Sequence, residues 1–459
     1  MAMQQQDGRP AAPAPSNGGS PHAPPPAAPA PMRAAATPGI TVSGLGGMGT
    51  RGGVPLSVPL PFLLTGIGAA ALFGLALPWL AADATAGPLA PHVLALVHVA
   101  TLGWLTMIIL GASLQLAPVV LVAPLRATRL VRWEYPVFVT GVAILVSGFW
   151  IMQPLAIAAG GTLVLVAIGH HVAVLWMTIA SARQRPLTAR YLAAAAGYLC
   201  AVVALGLTAA LDLRLGFLGT GLGRVLPAHI ALGVAGWLTC TLMGVSYTLV
   251  RMFALAHSHD DRLGRWVFAL LNGGLLTMAA GFVMGIGALV AAGGAVFCGA
   301  VWLFAYDYRR MLRARRRKPL DVTQRHGIAA VAWLVILTPV GVAVVVSGQT
   351  TPPLLFALGL AAFVGWLGQS TVGYLYKIVP FLLWQERYAP LVGRRQVPLM
   401  RDMIHSRWAE ASWWLINVGL LCAVLCAPAG WLWPLRLACA ALGAGLALAA
   451  ANVFAVLRR

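Results

Sequence analysis

Charge is what this sequence has least of. Asp, Glu, Lys and Arg together make up 9% of its 459 residues, and only 11 of these are acidic. A chain so poor in charge, 60% hydrophobic and with a mean hydropathy of +0.84, cannot cover a globular surface with groups that water solvates. It reads as an integral membrane protein. Other absences narrow the chemistry. There is no Walker or dinucleotide fingerprint, no HExxH and no CxxCH, which sets aside nucleotide hydrolysis, zincin-type proteolysis and covalent haem attachment. The six cysteines are scattered through apolar stretches and imply no disulfide framework. Cys422 and Cys426 share a helix face at a spacing that suits a soft metal, but they read first as small apolar residues. No cleavable signal peptide is expected, because the first apolar stretch begins near residue 57 and is long enough to span.

Long apolar runs are abundant. A bilayer crossing takes about 20 residues, and twelve stretches qualify: 57–82, 92–121, 134–153, 156–180, 190–211, 227–250, 266–287, 289–307, 327–348, 354–384, 412–428 and 435–456. The expected fold is all-α and polytopic. With the N-terminus inside, 27 of the 31 Lys and Arg residues fall in tails or inner loops, Arg214, Arg224 and Arg436 fall outside, and Lys377 lies within a helix. That is the positive-inside pattern, with both termini cytoplasmic in a bacterial-type inner membrane. The net charge of +20 is therefore topogenic and not a nucleic-acid footprint, and the run RRMLRARRRKP from Arg309 is an inner loop beside anionic lipid. Residues 1–53, rich in Pro, Ala and Gly, read as a disordered inner tail, and residues 54–459 as one membrane domain.

One motif occurs three times: GWLTMIILGASLQLAP from Gly103, GWLTCTLMGVSYTLVR from Gly236 and GWLGQSTVGYLYKIVP from Gly365. The offsets of 133 and 129 residues each carry four helices, so the chain divides into three pseudo-equivalent four-helix repeats, with the motif on the second helix of each. The paired glycines, eight apart, predict close helix packing. Trp104, Trp237 and Trp366 lie too deep for an interfacial belt. Gln115, Thr248 and Lys377 share one register position, where Lys377 is expected to snorkel to the headgroups.

Twelve helices in three groups of four, with a histidine in the outer half of the second helix, resemble subunit I of the haem-copper oxidases. The GWL repeat and the phrase GYLYKIVPFLLWQERY also resemble short subunit I-like membrane proteins, and the NnrS-type membrane haem proteins linked to nitric oxide stress share the plan. The resemblance implies a non-covalent haem, a respiratory-chain or other electron-donor partner, and His98 as the counterpart of the helix-2 ligand of low-spin haem. His229 is a looser counterpart of a helix-6 copper ligand. The remaining family ligands would come from helices 7 and 10, and neither helix contains a histidine. Copper and a complete oxygen-reducing centre are therefore not expected.

His170 and His171 are further candidates for holding haem, but they sit on helix 4, and adjacent residues on a helix point about 100° apart. An imidazole inside the bilayer needs a partner and usually marks function, though each of these histidines could equally bond a neighbouring carbonyl or hydroxyl. His92 does not share a face with His98. His326 is expected at the interface, and HSHDD from His257 as a solvated loop. The expected function is an accessory haem protein linked to respiration or nitric oxide stress. A redox enzyme with a rearranged metal site and a non-haem transporter or scaffold are the alternatives.

Overall fold

A computed structural model describes residues 54–126, 128–256, 259–316 and 319–459. The 1–53 tail, His257, and Arg317 and Lys318 of the Arg-rich run lie outside the described residues. Twelve helices are long and apolar enough to cross a membrane, and no strand occurs among the described residues. The protein is an all-α, multi-pass membrane protein. The helices are α1 (Pro59–Ala86), α2 (Pro91–Leu121), α3 (Leu130–Trp150), α4 (Pro154–Ser181), α5 (Leu187–Leu215), α6 (Gly219–Ala254), α7 (Arg262–Met284), α8 (Gly287–Arg313), α9 (Val322–Ser347), α10 (Pro352–Arg387), α11 (Ser406–Cys426) and α12 (Leu432–Val456). The end at which α1 begins and α12 ends is called the basic end below, after the arginines of its loops.

Starts and stops follow local chemistry. Proline occupies the first turn of α1, α2, α4 and α10, where its missing N–H leaves no bond unmade. Asp321 caps α9 through a capping box with Gln324. The stretch from Gly281 to Gly294 turns more tightly than its glycine content suggests. Only Gly285, in the left-handed region at φ +72°, and Ile286 separate α7 from α8.

The repeats close into a ring. Within each, the third and fourth helices pack as a tight pair, and the joints between repeats are α4 on α5, α8 on α9 and α12 back onto α1. The motif helices α2, α6 and α10 fill the centre. Their most apolar stretches are 67%, 56% and 72% buried, against 22% for α9 on the periphery. The motif glycines set how closely each central helix lies on the first helix of its own repeat. A Cβ added at Gly111 would fall 2.5 Å from Phe62 Cβ, one at Gly236 2.8 Å from Tyr198, one at Gly365 2.8 Å from Trp333, and one at Gly373 2.9 Å from His326 Cβ. At Gly244 it would overlap Tyr191. Gly103 differs, since its nearest neighbour would be at an ordinary 3.5 Å.

Each central helix also contains an eight-residue π-helical segment, at Val99–Thr106, Leu232–Thr239 and Ala361–Gly368. The offsets are again 133 and 129 residues, so the segments coincide in all three repeats. Each contains the Gly-Trp-Leu, and the tryptophans turn inward to meet near the axis with exposures of 0%, 3% and 2%. Trp237 Nε1 donates to Thr106 Oγ1 at 2.9 Å, and Trp366 Nε1 donates to Thr239 Oγ1 at 3.0 Å. The third link is missing. The residue that corresponds to Thr106 and Thr239 is Gly368, which has no hydroxyl, and Trp104 Nε1 is buried without a hydrogen-bond partner.

Candidate functional site

Two groups of histidines stand out, one towards each end of the bundle. Towards the far end, His98 is the last residue before the first π segment and His229 lies three residues before the second. His98 Nδ1 bonds the carbonyl of Leu94 at 2.8 Å, and the ring stacks on Phe149 at 4.5 Å. His229 Nδ1 bonds the carbonyl of Val202 on α5 at 3.0 Å. Its ring lies against Gly206, where an added Cβ would come within 2.9 Å of it.

A carbonyl oxygen can only accept, so Nδ1 carries the proton in both rings and Nε2 is left as a lone-pair donor. Histidines that bind a metal through Nε2 are commonly held this way, with the second nitrogen fixed on a carbonyl or carboxylate. The far half of α2 packs on α1 and α3, and that of α6 on α5 and α7, without extensive packing between the two. In tautomer and support, His98 and His229 are each an imidazole with a fixed Nδ1 and an uncommitted Nε2. His92, at the tip of α2, is 43% exposed, lies 3.8 Å from Asp83 and packs on Trp150. It takes no part in this arrangement.

The second group contains a residue that the sequence reading overlooked. Glu134 on α3 has a fully buried carboxylate, which lies between the two histidines of α4. Its Oε2 is 3.1 Å from His170 Nδ1 and its Oε1 is 2.6 Å from His171 Nδ1. Adjacent imidazoles that diverge on one helix thus meet a single centre, because a carboxylate offers two oxygens. Ser113 gives its one hydrogen to the carbonyl of Leu110 at 2.8 Å, so the 2.9 Å bond between Ser113 Oγ and His171 Nε2 runs from the ring N–H to the hydroxyl oxygen. The 2.6 Å gap between His171 and Glu134 therefore holds one proton. Both nitrogens of His171 are engaged, whereas His170 Nε2 is buried without a partner.

The chain continues to the axis. Ser113 lines a cavity of about 40 Å³ between α2, α6 and α10, with Thr241, Thr371 and Tyr374 among its other polar residues. The accessible walls of this cavity are nearly all apolar. Across the cavity Tyr374 Oη bonds Ser246 Oγ at 2.6 Å, and Ser246 occupies in α6 the register position of Ser113 in α2.

Two expectations are corrected at the basic end, and a third residue gains a partner. His326 is fully buried, not interfacial, because the first turns of α9 lie against Gly373 of α10; its Nδ1 bonds Gln369 Oε1 at 3.2 Å. His259 of the HSHDD stretch is 3% exposed and pairs with buried Asp307 at 3.1 Å, since the loop folds back onto α8. Lys377 reaches towards the basic end, where its Nζ is 2.7 Å from Oδ2 of Asp321, the cap of α9. In the second repeat the same position holds Thr248, which bonds Thr188 at 2.8 Å. Both contacts tie the central helix to the start of the first helix of its repeat.

Among the described residues no group of three or more His, Cys, Asp or Glu side chains is arranged to hold a metal ion. No protein-family model matches the chain, and no curated protein matches it.

Proposed function

We propose that this protein binds non-covalent haem within the membrane, where His98 and His229 would hold it, in an accessory role linked to respiration or nitric oxide stress. The observation that carries the reading is the pair of imidazoles at one end of neighbouring central helices, each with Nδ1 fixed on a carbonyl and Nε2 left to donate. Haem, when bound, would supply a redox-active iron. The chain's own part is to orient the two rings: Leu94 and Phe149 fix His98, and Val202 and Gly206 fix His229. An electron-donor protein would be the partner. The arginine distribution supports an inner bacterial membrane with both termini cytoplasmic. With no histidine on α7 or α10, no oxygen-reducing copper centre is assigned.

Spectra of the detergent-purified protein, oxidised and dithionite-reduced, test the reading. A Soret band is expected that His98→Ala and His229→Ala each largely abolish while the protein stays monodisperse, and that His170→Ala leaves in place. Haem content unchanged in both of the first two variants removes them from the site. A second reading, a proton-linked transporter, is favoured by the buried chain from His170 through Glu134, His171 and Ser113 to the axial cavity. Well-folded protein without a Soret band, after expression with ample haem supply, would select it.

A further inference from the structure

At the basic end, α9 and α11 diverge on the lipid-facing side and leave an open groove of about 420 Å³. Its lining is chemically mixed. Arg325 Nη1 donates to Glu410 Oε1 at 2.8 Å along its lining, and Ile328, Ala329, Trp413 and Trp414 complete the walls. Both charged side chains are about half exposed, at 43% and 56%, although both helices lie in the membrane region. Trp413 Nε1 is buried without a hydrogen-bond partner. Arg325 stands four residues past the cap of α9 and Glu410 four past the start of α11, so both lie about 6 Å along their helices at 1.5 Å per residue. The tryptophans lie roughly one turn deeper.

We propose that this groove binds one phospholipid with a primary-amine headgroup, drawn from the leaflet at the basic end. The depth is that of the headgroup and glycerol region, where tryptophan is the favoured aromatic. A phosphodiester accepts from the Arg325 N–H groups that are not given to Glu410. The ammonium one short linker away donates to the Glu410 carboxylate. Ile328, Ala329 and the exposed indole of Trp414 flank the first methylenes of the acyl chains. Charge complementarity selects this occupant. A purely anionic headgroup meets Glu410 with nothing to give it, and a quaternary choline has no N–H to donate. A soluble protein partner does not reach a surface that faces lipid. The inference is independent of the haem reading.

The test titrates the full chain, in micelles cleared of lipid, with phosphatidylethanolamine, phosphatidylcholine and phosphatidylglycerol of identical acyl chains, and reads bound lipid by native mass spectrometry. Phosphatidylethanolamine should bind at least about fivefold more strongly than either of the others. The double variant Arg325→Gln, Glu410→Gln should lower it to the phosphatidylcholine level. Arg325→Lys, which keeps the cation and loses the guanidinium fork, should weaken it about threefold and serves if the double variant does not fold. Equal binding of the three lipids, a preference for phosphatidylglycerol, or a preference that survives these variants overturns the proposal.

Discussion

Replacing Glu134 separates a network that can rearrange its protons from one that cannot. In Glu134→Ala the ring nitrogens of His170 and His171 both lose their partner. An orphaned buried polar group costs about 1–3 kcal/mol. His170, a quarter exposed, belongs at the low end and His171, 2% exposed, at the high end, for a combined loss of about 4 kcal/mol. Glu134→Gln behaves differently. Its carbonyl oxygen still accepts from His170 Nδ1–H, and its amide N–H donates to His171 Nδ1, provided that His171 carries its proton on Nε2. The bond to Ser113 already requires that proton. Every group stays paired, and the loss falls to about 1 kcal/mol, the difference between charge-assisted and neutral hydrogen bonds. Reversible unfolding in mixed micelles, with SDS as denaturant and circular dichroism as readout, gives both values. Glutamine as damaging as alanine, or alanine within about 1 kcal/mol of the wild type, refutes the assignment of protons around His171.

Three further outcomes are expected. Gly111→Ala should destabilise the fold by about 1–3 kcal/mol in the same assay, because the new methyl meets Phe62 Cβ at 2.5 Å and the carbonyl of Pro59 at 2.9 Å. Gly273→Ala, with nothing within 4 Å, should be neutral or stabilising by up to about 1 kcal/mol. Lys377→Thr alone leaves Asp321 without its cation and should cost about 1–2 kcal/mol, discounted for the roughly 20% exposure of the pair. Adding Asp321→Asn, which keeps a capping side chain on α9 and removes the orphaned charge, should recover most of that loss; an additive second loss refutes the pairing. Single cysteines at positions 86 and 316 should be labelled by an impermeant reagent from outside and inside respectively, and the reverse pattern would overturn the orientation drawn from the arginines.

The repeats were legible because they are written in the chain itself. Gly-Trp-Leu recurs at fixed offsets, and the close packing of the motif helices follows from the glycine eight residues later. The π segments had no such signal, since backbone hydrogen bonding within a helix leaves no mark on residue type, although the register that places them did. Glu134 was passed over because it stands among arginines at the start of α3, where a carboxylate usually meets water. Only the packing of α3 on α4 turns it inward. His326 and His259 were misjudged for the converse reason. Distance from a helix end gives depth along the bundle axis, whereas burial depends on which neighbour lies alongside. The positions of His98 and His229 near one end could be counted from the sequence, but the carbonyls that set their tautomers could not.

The unfinished tryptophan ring has a direction. Repeat two reaches back to a threonine of repeat one and repeat three to a threonine of repeat two, so each indole bonds a hydroxyl that left the ribosome before it. Only the closing link would have run forward, from Trp104 to position 368, and there the chain has glycine. The axis is thus a split washer, fastened in the order of synthesis and left with a seam where the first and last repeats meet. Three copies of the second repeat, each with its own Trp and Thr, would have made a closed washer with no first or last member. By losing one hydroxyl the fold distinguishes its beginning from its end, and at that seam the indole of Trp104 lies directly on Gly368, where an added Cβ would come within 2.5 Å of it.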